Sequence, residues 1–524
     1  MEQAQLATLA ERIGLPLTEA EQAAILPAVE KALARSPELD VEAATARAGW
    51  GPYSSAALSD SYAIGGSVEP GFEPVRAGFE QNFKDGLERD AQLCIYWRGR
   101  RVVDLWGSTT HSGRDGRPYS KLPGEYDGDT LQTVFSSTKC AAATVFALAQ
   151  DRGLLRYDDL VSKHWPEFGC NGKEALTIAD ILRHDAGLQA FDEPISKEDV
   201  ERQHDPDGKL SRVIAETTPW TWAGGPDAGK TPRIYHGSSR GLVLSQILLR
   251  ADPQHRTVGE WLMQEIALPL GIDFFCGPGG EGAIDWASKP SATMTPPEPE
   301  FVFANDTLPK LIRKTFPEKY PEDEGTRAMR AYTSDENFQH NPARDDQGKH
   351  VPSGGAPPEN KKYDSPSGNG WANARGMAKM MAMLSMGGAI DGVRLLSKQG
   401  VEAAIQNPVR NTTRNNEAAL NRMLPTGDTA FVQGGFDAFL RRDGRNLVAP
   451  MERMRPENFV LHGTDAYGTC SSSLANWPSS NKLLHRLGRG GRQHHLVQCT
   501  RGLFRCATSL LLTAARVGVS LSSK

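Results

Sequence analysis

Wound as an α-helix, the run CAAATVFALA from Cys140 to Ala149 is apolar on every face. A surface helix keeps one polar side for water, so this one has to be enclosed, with other elements packed on both sides of it. Length and composition permit that. The chain has 524 residues, 39% of them hydrophobic, enough for one large domain with additions or for two or three ordinary domains. The expectation is a globular protein with this helix near its centre.

Directly before the run stands VFSSTK, which places Ser136 and Lys139 three positions apart at the helix mouth. On a helix starting near Ser136 the two side chains share a face, with Cβ atoms about 5–6 Å apart, and can exchange a proton. The helix start adds unpaired N–H groups and a positive dipole end, both of which stabilise negative charge developing beside Ser136. Burial disfavours the charged form of Lys139 and moves it toward proton acceptance. Together these features describe a serine that forms acyl intermediates, with the lysine of an S-x-x-K pair taking its proton. A Ser/Thr cluster before an apolar helix also serves as a plain N-cap, and the spacing alone is common. Ser479 and Lys482 in WPSSNK repeat it with no apolar helix behind them, so the buried run carries the weight.

Bulk properties narrow the partners. The formal net charge is −5 and the pI near 6.2, so nothing global attracts nucleic acid or anionic lipid. Met1 to Arg12 lacks the basic start and apolar core of a secretory signal, which gives an intracellular expectation. Leu503 to Leu521 is interrupted by Arg505 and Arg516, so no membrane span is expected. Seven cysteines without paired spacing read as free thiols, neither a disulfide framework nor a zinc module. His494 and His495 near Cys499 read as solvated residues of a basic tail, and GPGGEG lacks the Lys-Ser/Thr of a phosphate loop. No metal or cofactor is expected.

Along the chain, residues 1–60 read as a helical N-terminal extension, with Thr18 and Glu21 set for a capping box. AQLCIYWRGRRVVDLWG alternates on both sides of Gly99-Arg100 and predicts a β-hairpin from Ala91 to Gly107. A predominantly helical middle runs from Leu131 to about Gly271. Residues 286–367 shift to Pro, Lys, Asp and Glu with little periodicity and read as a long loop or insertion. NGWANARGMAKMMAMLSMGG then returns to helix. After Asp465 there is no acidic residue, while eight Lys or Arg and three of the seven cysteines fall there. Residues 483–524 therefore read as an anomalous basic tail, either an alternative or out-of-frame C-terminus or a basic appendage.

VFSSTKCAAATVFALAQDRGLLRYDDLVSKHWPEFGCNGKEALTIADILRHDAGL resembles the β-lactamase-related serine hydrolases: class C β-lactamases, D-alanyl-D-alanine carboxypeptidases and family VIII carboxylesterases. The matching features are Ser136 to Lys139, the DRGLLRYDD return, and ILRHDAGL with His184, Gly187 and Leu188. The similarity runs from about Pro70 to near Lys398. Such relatives carry a second base, a tyrosine, and IYHGSSRGLVLSQIL supplies Tyr235; His184 and His236 read as structural. The resemblance implies an α+β, β-lactamase/transpeptidase-like domain over residues 61–482: an antiparallel sheet flanked by helices, plus a helical subdomain. It implies that Ser136 attacks an ester or amide carbonyl of a small molecule while Lys139 and Tyr235 relay the proton. The oxyanion would sit between the Ser136 N–H and an N–H of an edge strand. Relatives place a K-T-G, H-T-G or W-x-G motif on that strand. Here the nearest remnant is LGRGGRQ, Leu487 to Gln493, so the terminal strands are expected to be degraded or missing.

Two other readings stand beside this one. GSSRG, Gly237 to Gly241, fits the G-x-S-x-G elbow of α/β hydrolases with Ser239 as nucleophile, but no buried strand precedes it. A chain that keeps the fold and loses the third motif would bind acyl ligands without turning them over. The expectation carried forward is hydrolysis of a carboxylic ester, with little β-lactam or peptidoglycan activity. The sequence sets neither the acyl group nor the oligomeric state.

Overall fold

The computed structural model describes residues 2–13, 15–34, 39, 41–42, 62–84, 90–109, 126–193, 195–221, 229–231, 233, 235–292, 303–320, 361–410, 429–439, 497–500 and 503–505. Helices α1 (Gln3–Arg12) and α2 (Glu19–Leu33) open the chain, and the Thr18–Glu21 capping box forms as expected. Strands β1 (Tyr62–Val68), β2 (Asp90–Trp97) and β3 (Arg100–Thr109) follow, with α3 (Glu73–Lys84) between the first two. The alternating segment forms the expected hairpin, β2 against β3, and β1 adds antiparallel to the far edge of β3. Phe79 and Phe83 of α3 close one face of this sheet over Ala91, Leu93, Ile95, Val102, Val103 and Leu105.

The second half of the scaffold corrects one expectation. Leu131–Phe135, taken from sequence as the start of the helical middle, is a strand, β4, and helix α4 begins only at Thr138 and runs to Asp151. LQTVF is β-branched and aromatic, and it finds partners far away in sequence. A four-stranded sheet runs β5 (Phe274–Cys276), β7 (Gly370–Ala372), β4, β6 (Ser291–Ala292), antiparallel except for the β4–β6 pair. The helical middle otherwise holds, with α5 (Lys209–Glu216), α6 (Ser239–Ala251) and several one-turn helices. Later come α7 (Leu308–Thr315), α8 (Ala374–Ser385), the β8–β9 hairpin (Ala389–Ile390 and Val393–Arg394) and α9 (Lys398–Ala404). A small sheet of β10 (Val409–Arg410), β11 (Thr429–Phe431) and β12 (Asp437–Phe439) lies beside the helical region.

Helix α4 is buried from Thr138 through Ala149. Helix α6 is buried from Ser239 through Leu249, and the two share one core with Trp165, Trp261 and Trp371. This is the enclosure that the apolar run demanded.

Two regions add detail to the reading from sequence. Within residues 286–367, the long loop or insertion, a π-helical turn over Phe303–Thr307 leads into α7. Phe303, Leu308 and Ile312 pack with Leu6, Leu9, Ile25 and Val29 in a separate small core, so α1 and α2 cover part of the insertion. The pattern of α7 is too short, and too broken by Pro309 and its lysines, to stand out by periodicity. Of the terminal strands, for which the sequence left degraded or missing open, two short ones are present: β13 (Val497–Thr500) pairs antiparallel with β2, and β14 (Leu503–Arg505) pairs with β13. The edge of β2 offers unpaired backbone groups, and pairing needs only extended backbone, which the sequence motif does not measure. The first sheet therefore has the order β1-β3-β2-β13-β14.

Candidate active site

The chain leaves β4 through Phe135, a non-glycine residue held at φ 43°, and turns at Ser136 and Ser137 into α4. A bulky residue in the left-handed region is strained, and such strain persists only where the surroundings fix it. Here the Thr138 hydroxyl bonds the Phe135 carbonyl, and the Gly370 N–H of β7 donates to Thr138 Oγ1 at 2.8 Å. Ser137 is the N-cap residue, so Ser136 lies just ahead of the helix and Lys139 in its first turn.

The three residues singled out from sequence meet. Lys139 Nζ lies 3.1 Å from Ser136 Oγ and 2.9 Å from the Tyr235 hydroxyl, which itself stands 2.6 Å from Ser136 Oγ. Ser136, Lys139 and Tyr235 are 4%, 1% and 3% exposed, so the triangle is screened from bulk water. The lysine has a further acceptor, the Ser367 carbonyl at 2.8 Å. An ammonium has three donors, and three oxygens surround this one. Loss of one proton anywhere in the triangle turns a donor into an acceptor next to the Ser136 hydroxyl. That is the chemistry of general-base activation of an alcohol.

The two histidines position the tyrosine. The His184 ring lies 5.0 Å from the Tyr235 ring, tilted by 37°. Its Nδ1 accepts the His236 N–H at 2.9 Å, and His236 Nε2 accepts the Leu188 N–H at 2.9 Å. Both rings are acceptors for backbone, which joins ILRHDAGL to IYHGSSRG. Arg233 reinforces the seam, holding Asp185 with two bonds of 2.6 Å and donating to the Val409 carbonyl. Ser239, the competing nucleophile, is spent on the same seam: its Oγ donates to the Leu188 carbonyl at 2.5 Å.

Sequence reasoning missed Ser367. Its carbonyl receives the lysine, and its hydroxyl accepts the Gly241 N–H at 2.6 Å. A side chain on Gly241 would collide with the Ser367 backbone, so the glycine lets α6 meet this segment. The turn-forming SPSGNG just before β7 was the available signal. Leu487–Gln493, His494, His495, Ser479 and Lys482 lie outside the described residues. Among the described residues Cys94, Cys140, Cys170 and Cys276 are free thiols, and no helix is long and apolar enough to cross a membrane.

An antiparallel sheet, a central helix that opens with S-x-x-K, and a tyrosine converging on its serine define the class: β-lactamase-fold serine hydrolases. The model of the Beta-lactamase family matches residues 79–446, and the chain belongs to that family. The chain is 28% identical over 343 residues to "Esterase/beta-lactamase LipL" of Mycobacterium tuberculosis (strain ATCC 25618 / H37Rv), covering 65% of this chain and 69% of the relative. Among solved structures, a family VIII carboxylesterase is 24% identical with a TM-score of 0.47, covering 73% of this chain and 91% of that one. A penicillin-binding protein homologue from Caulobacter crescentus is 26% identical with a TM-score of 0.46 over the same shares, 73% and 91%.

Proposed function

We propose that the chain hydrolyses carboxylic esters of small molecules through an acyl-enzyme on Ser136. The observation that carries this reading is the closed triangle of Ser136 Oγ, Lys139 Nζ and the Tyr235 hydroxyl. In acylation, Ser136 Oγ forms a bond to the ester carbonyl carbon as its proton passes into the Lys139/Tyr235 pair. The tetrahedral intermediate collapses by breaking the bond to the alkoxide, which takes that proton and leaves as the alcohol. Water then attacks the acyl-enzyme, gives its proton to the same pair, and Ser136 recovers it as the acid departs. Lys139 Nζ and the Tyr235 hydroxyl are 2.9 Å apart, and the proton relay is assigned to the two together. The oxyanion is received by the Ser136 N–H at the head of α4 and by an N–H from the C-terminal edge of the sheet.

The preference for esters over β-lactams rests on the sequence resemblance and on the lack of a secretory signal at Met1 to Arg12; the name of the mycobacterial relative covers both substrate classes. A panel of p-nitrophenyl acyl esters run against a chromogenic cephalosporin tests it. The expected result is ester turnover that vanishes in Ser136→Ala, with the cephalosporin a far poorer substrate. A second reading, a β-lactamase-fold protein that binds acyl ligands without turnover, is favoured by the weak third motif LGRGGRQ. Folded wild-type protein that binds the esters and releases no p-nitrophenol would select it.

A further inference from the structure

The segment that delivers the Ser367 carbonyl to Lys139 is anchored a few residues upstream by a buried acid, Asp364. Its Oδ2 accepts the Gly259 N–H at 3.0 Å and the Thr257 hydroxyl, and its Oδ1 lies 3.7 Å from Cys276 Sγ. Its backbone carbonyl accepts Gln203 Nε2 at 3.0 Å. A Cβ on Gly259 would stand 2.5 Å from the Asp364 carboxylate, so the acid is packed to contact. Downstream, Asn369 Nδ2 donates to the Tyr363 carbonyl at 2.5 Å and fastens the turn on itself. Asp364 and Ser367 are thus two fixed points of one short buried turn, the first on Thr257 and Gly259, the second on Gly241 and Lys139.

Thr257 has one hydroxyl proton and two carboxylates in reach. Its Oγ1 is 3.1 Å from Glu260 Oε2 as well as bonded to Asp364. Glu260 is in turn paired with His204 at 2.9 Å. With Asp364 protonated, its O–H donates to Thr257, Thr257 donates to Glu260, and every oxygen is satisfied. With Asp364 ionised, two anions converge on one hydroxyl in a site closed to water, and the anchor loosens.

We propose that Asp364 is a positioning residue for Lys139: its protonated form holds the Ser367 carbonyl against the lysine, and its ionisation releases that hold. The inference rests on the Ser136/Lys139/Tyr235 reading. The titratable groups facing Asp364 are Glu260, His204 and Cys276. Burial pushes its carboxyl up to about 7; the Thr257 bond opposes this, Glu260 adds to it, and the Gly259 bond and His204 oppose it. Since the folded protein favours the protonated acid, ionisation strains the native turn as pH rises through that range.

The test is the rate of Ser136 labelling by a fluorophosphonate, followed from about pH 5.5 to about pH 9, for wild type, Asp364→Asn, Asp364→Ala and His204→Gln. Asparagine is the neutral near-isostere: Nδ2 in place of Oδ2 donates to Thr257, while the Gly259 N–H, which shares Oδ2 in the wild type, loses that acceptor. Asp364→Asn is expected to lack the inflection of wild type, so that its rate relative to wild type rises by about threefold to tenfold from the acid to the alkaline end, the ratio changing near neutrality. Asp364→Ala is slower at every pH, and asparagine at the same position restores part of the rate. His204→Gln removes positive charge beside Glu260 at a half-exposed position, so the wild-type inflection moves to higher pH. If Asp364→Asn fails to fold, the His204→Gln shift decides alone. A ratio flat in pH for Asp364→Asn, or an inflection unmoved in His204→Gln, overturns the inference while leaving the relay intact. Wild type that is folded and never labelled defeats the relay reading itself, and the inference with it.

Discussion

Two serines stand at the mouths of two buried helices, and their hydroxyls meet different partners. Ser136 precedes α4 and Ser239 begins α6; both are buried, and both are followed by an apolar run. Ser136 faces an amine and a phenol within 3.1 Å. Ser239 faces a backbone carbonyl, to which its only proton is committed. A carbonyl accepts a hydrogen bond and cannot remove the proton, so Ser239 is a fastener between two loops. What separates the proposed nucleophile from the fastener is the acceptor within reach; the glycines around Ser239 say nothing about it.

Substitutions at the two helix mouths sharpen that contrast. The largest expected effect is Ser136→Ala, which lowers ester turnover by about 10⁴-fold or more, measured as kcat/KM on a p-nitrophenyl ester. Lys139→Ala removes the amine at the centre of the triangle and costs about 10³-fold in the same assay, with near-native circular dichroism. Tyr235→Phe keeps the ring against His184 and loses only the hydroxyl; a drop of about tenfold to a hundredfold in kcat is expected. Ser239→Ala has the smallest effect on rate, within about twofold, but leaves the Leu188 carbonyl without this donor and lowers unfolding free energy by about 1–3 kcal/mol in urea titrations. A large rate loss in Ser239→Ala with unchanged stability would reverse the assignment of the two serines.

The same contrast shows what could be read from sequence. Ser136 and Lys139 were legible because a helix fixes side chains three apart on one face, and the hairpin was legible because alternation is a local property. Tyr235 was legible through resemblance, since nothing local says that it lies 96 positions from its lysine partner in sequence and 2.9 Å away in space. Strand β4 was hidden because its partners, β7 above all, come from distant parts of the chain. Ser367 was hidden for another reason: it contributes a carbonyl, which every residue has. Asp364 looked like one more acid in a charged loop, and only the closing of Thr257, Gly259 and Cys276 around it makes it a buried one. Helix α7 was overlooked because its apolar positions matter only once α1 and α2 lie across them.

The central claim is that Ser136 alone carries the acyl group. The most direct measurement is intact-mass and peptide mapping of wild-type protein after reaction with a fluorophosphonate, with Lys139→Ala as the companion variant. One adduct per chain, on the peptide containing Ser136 and strongly slowed without Lys139, is the predicted result. An adduct on the peptide containing Ser239, or folded protein that takes no label, would contradict it.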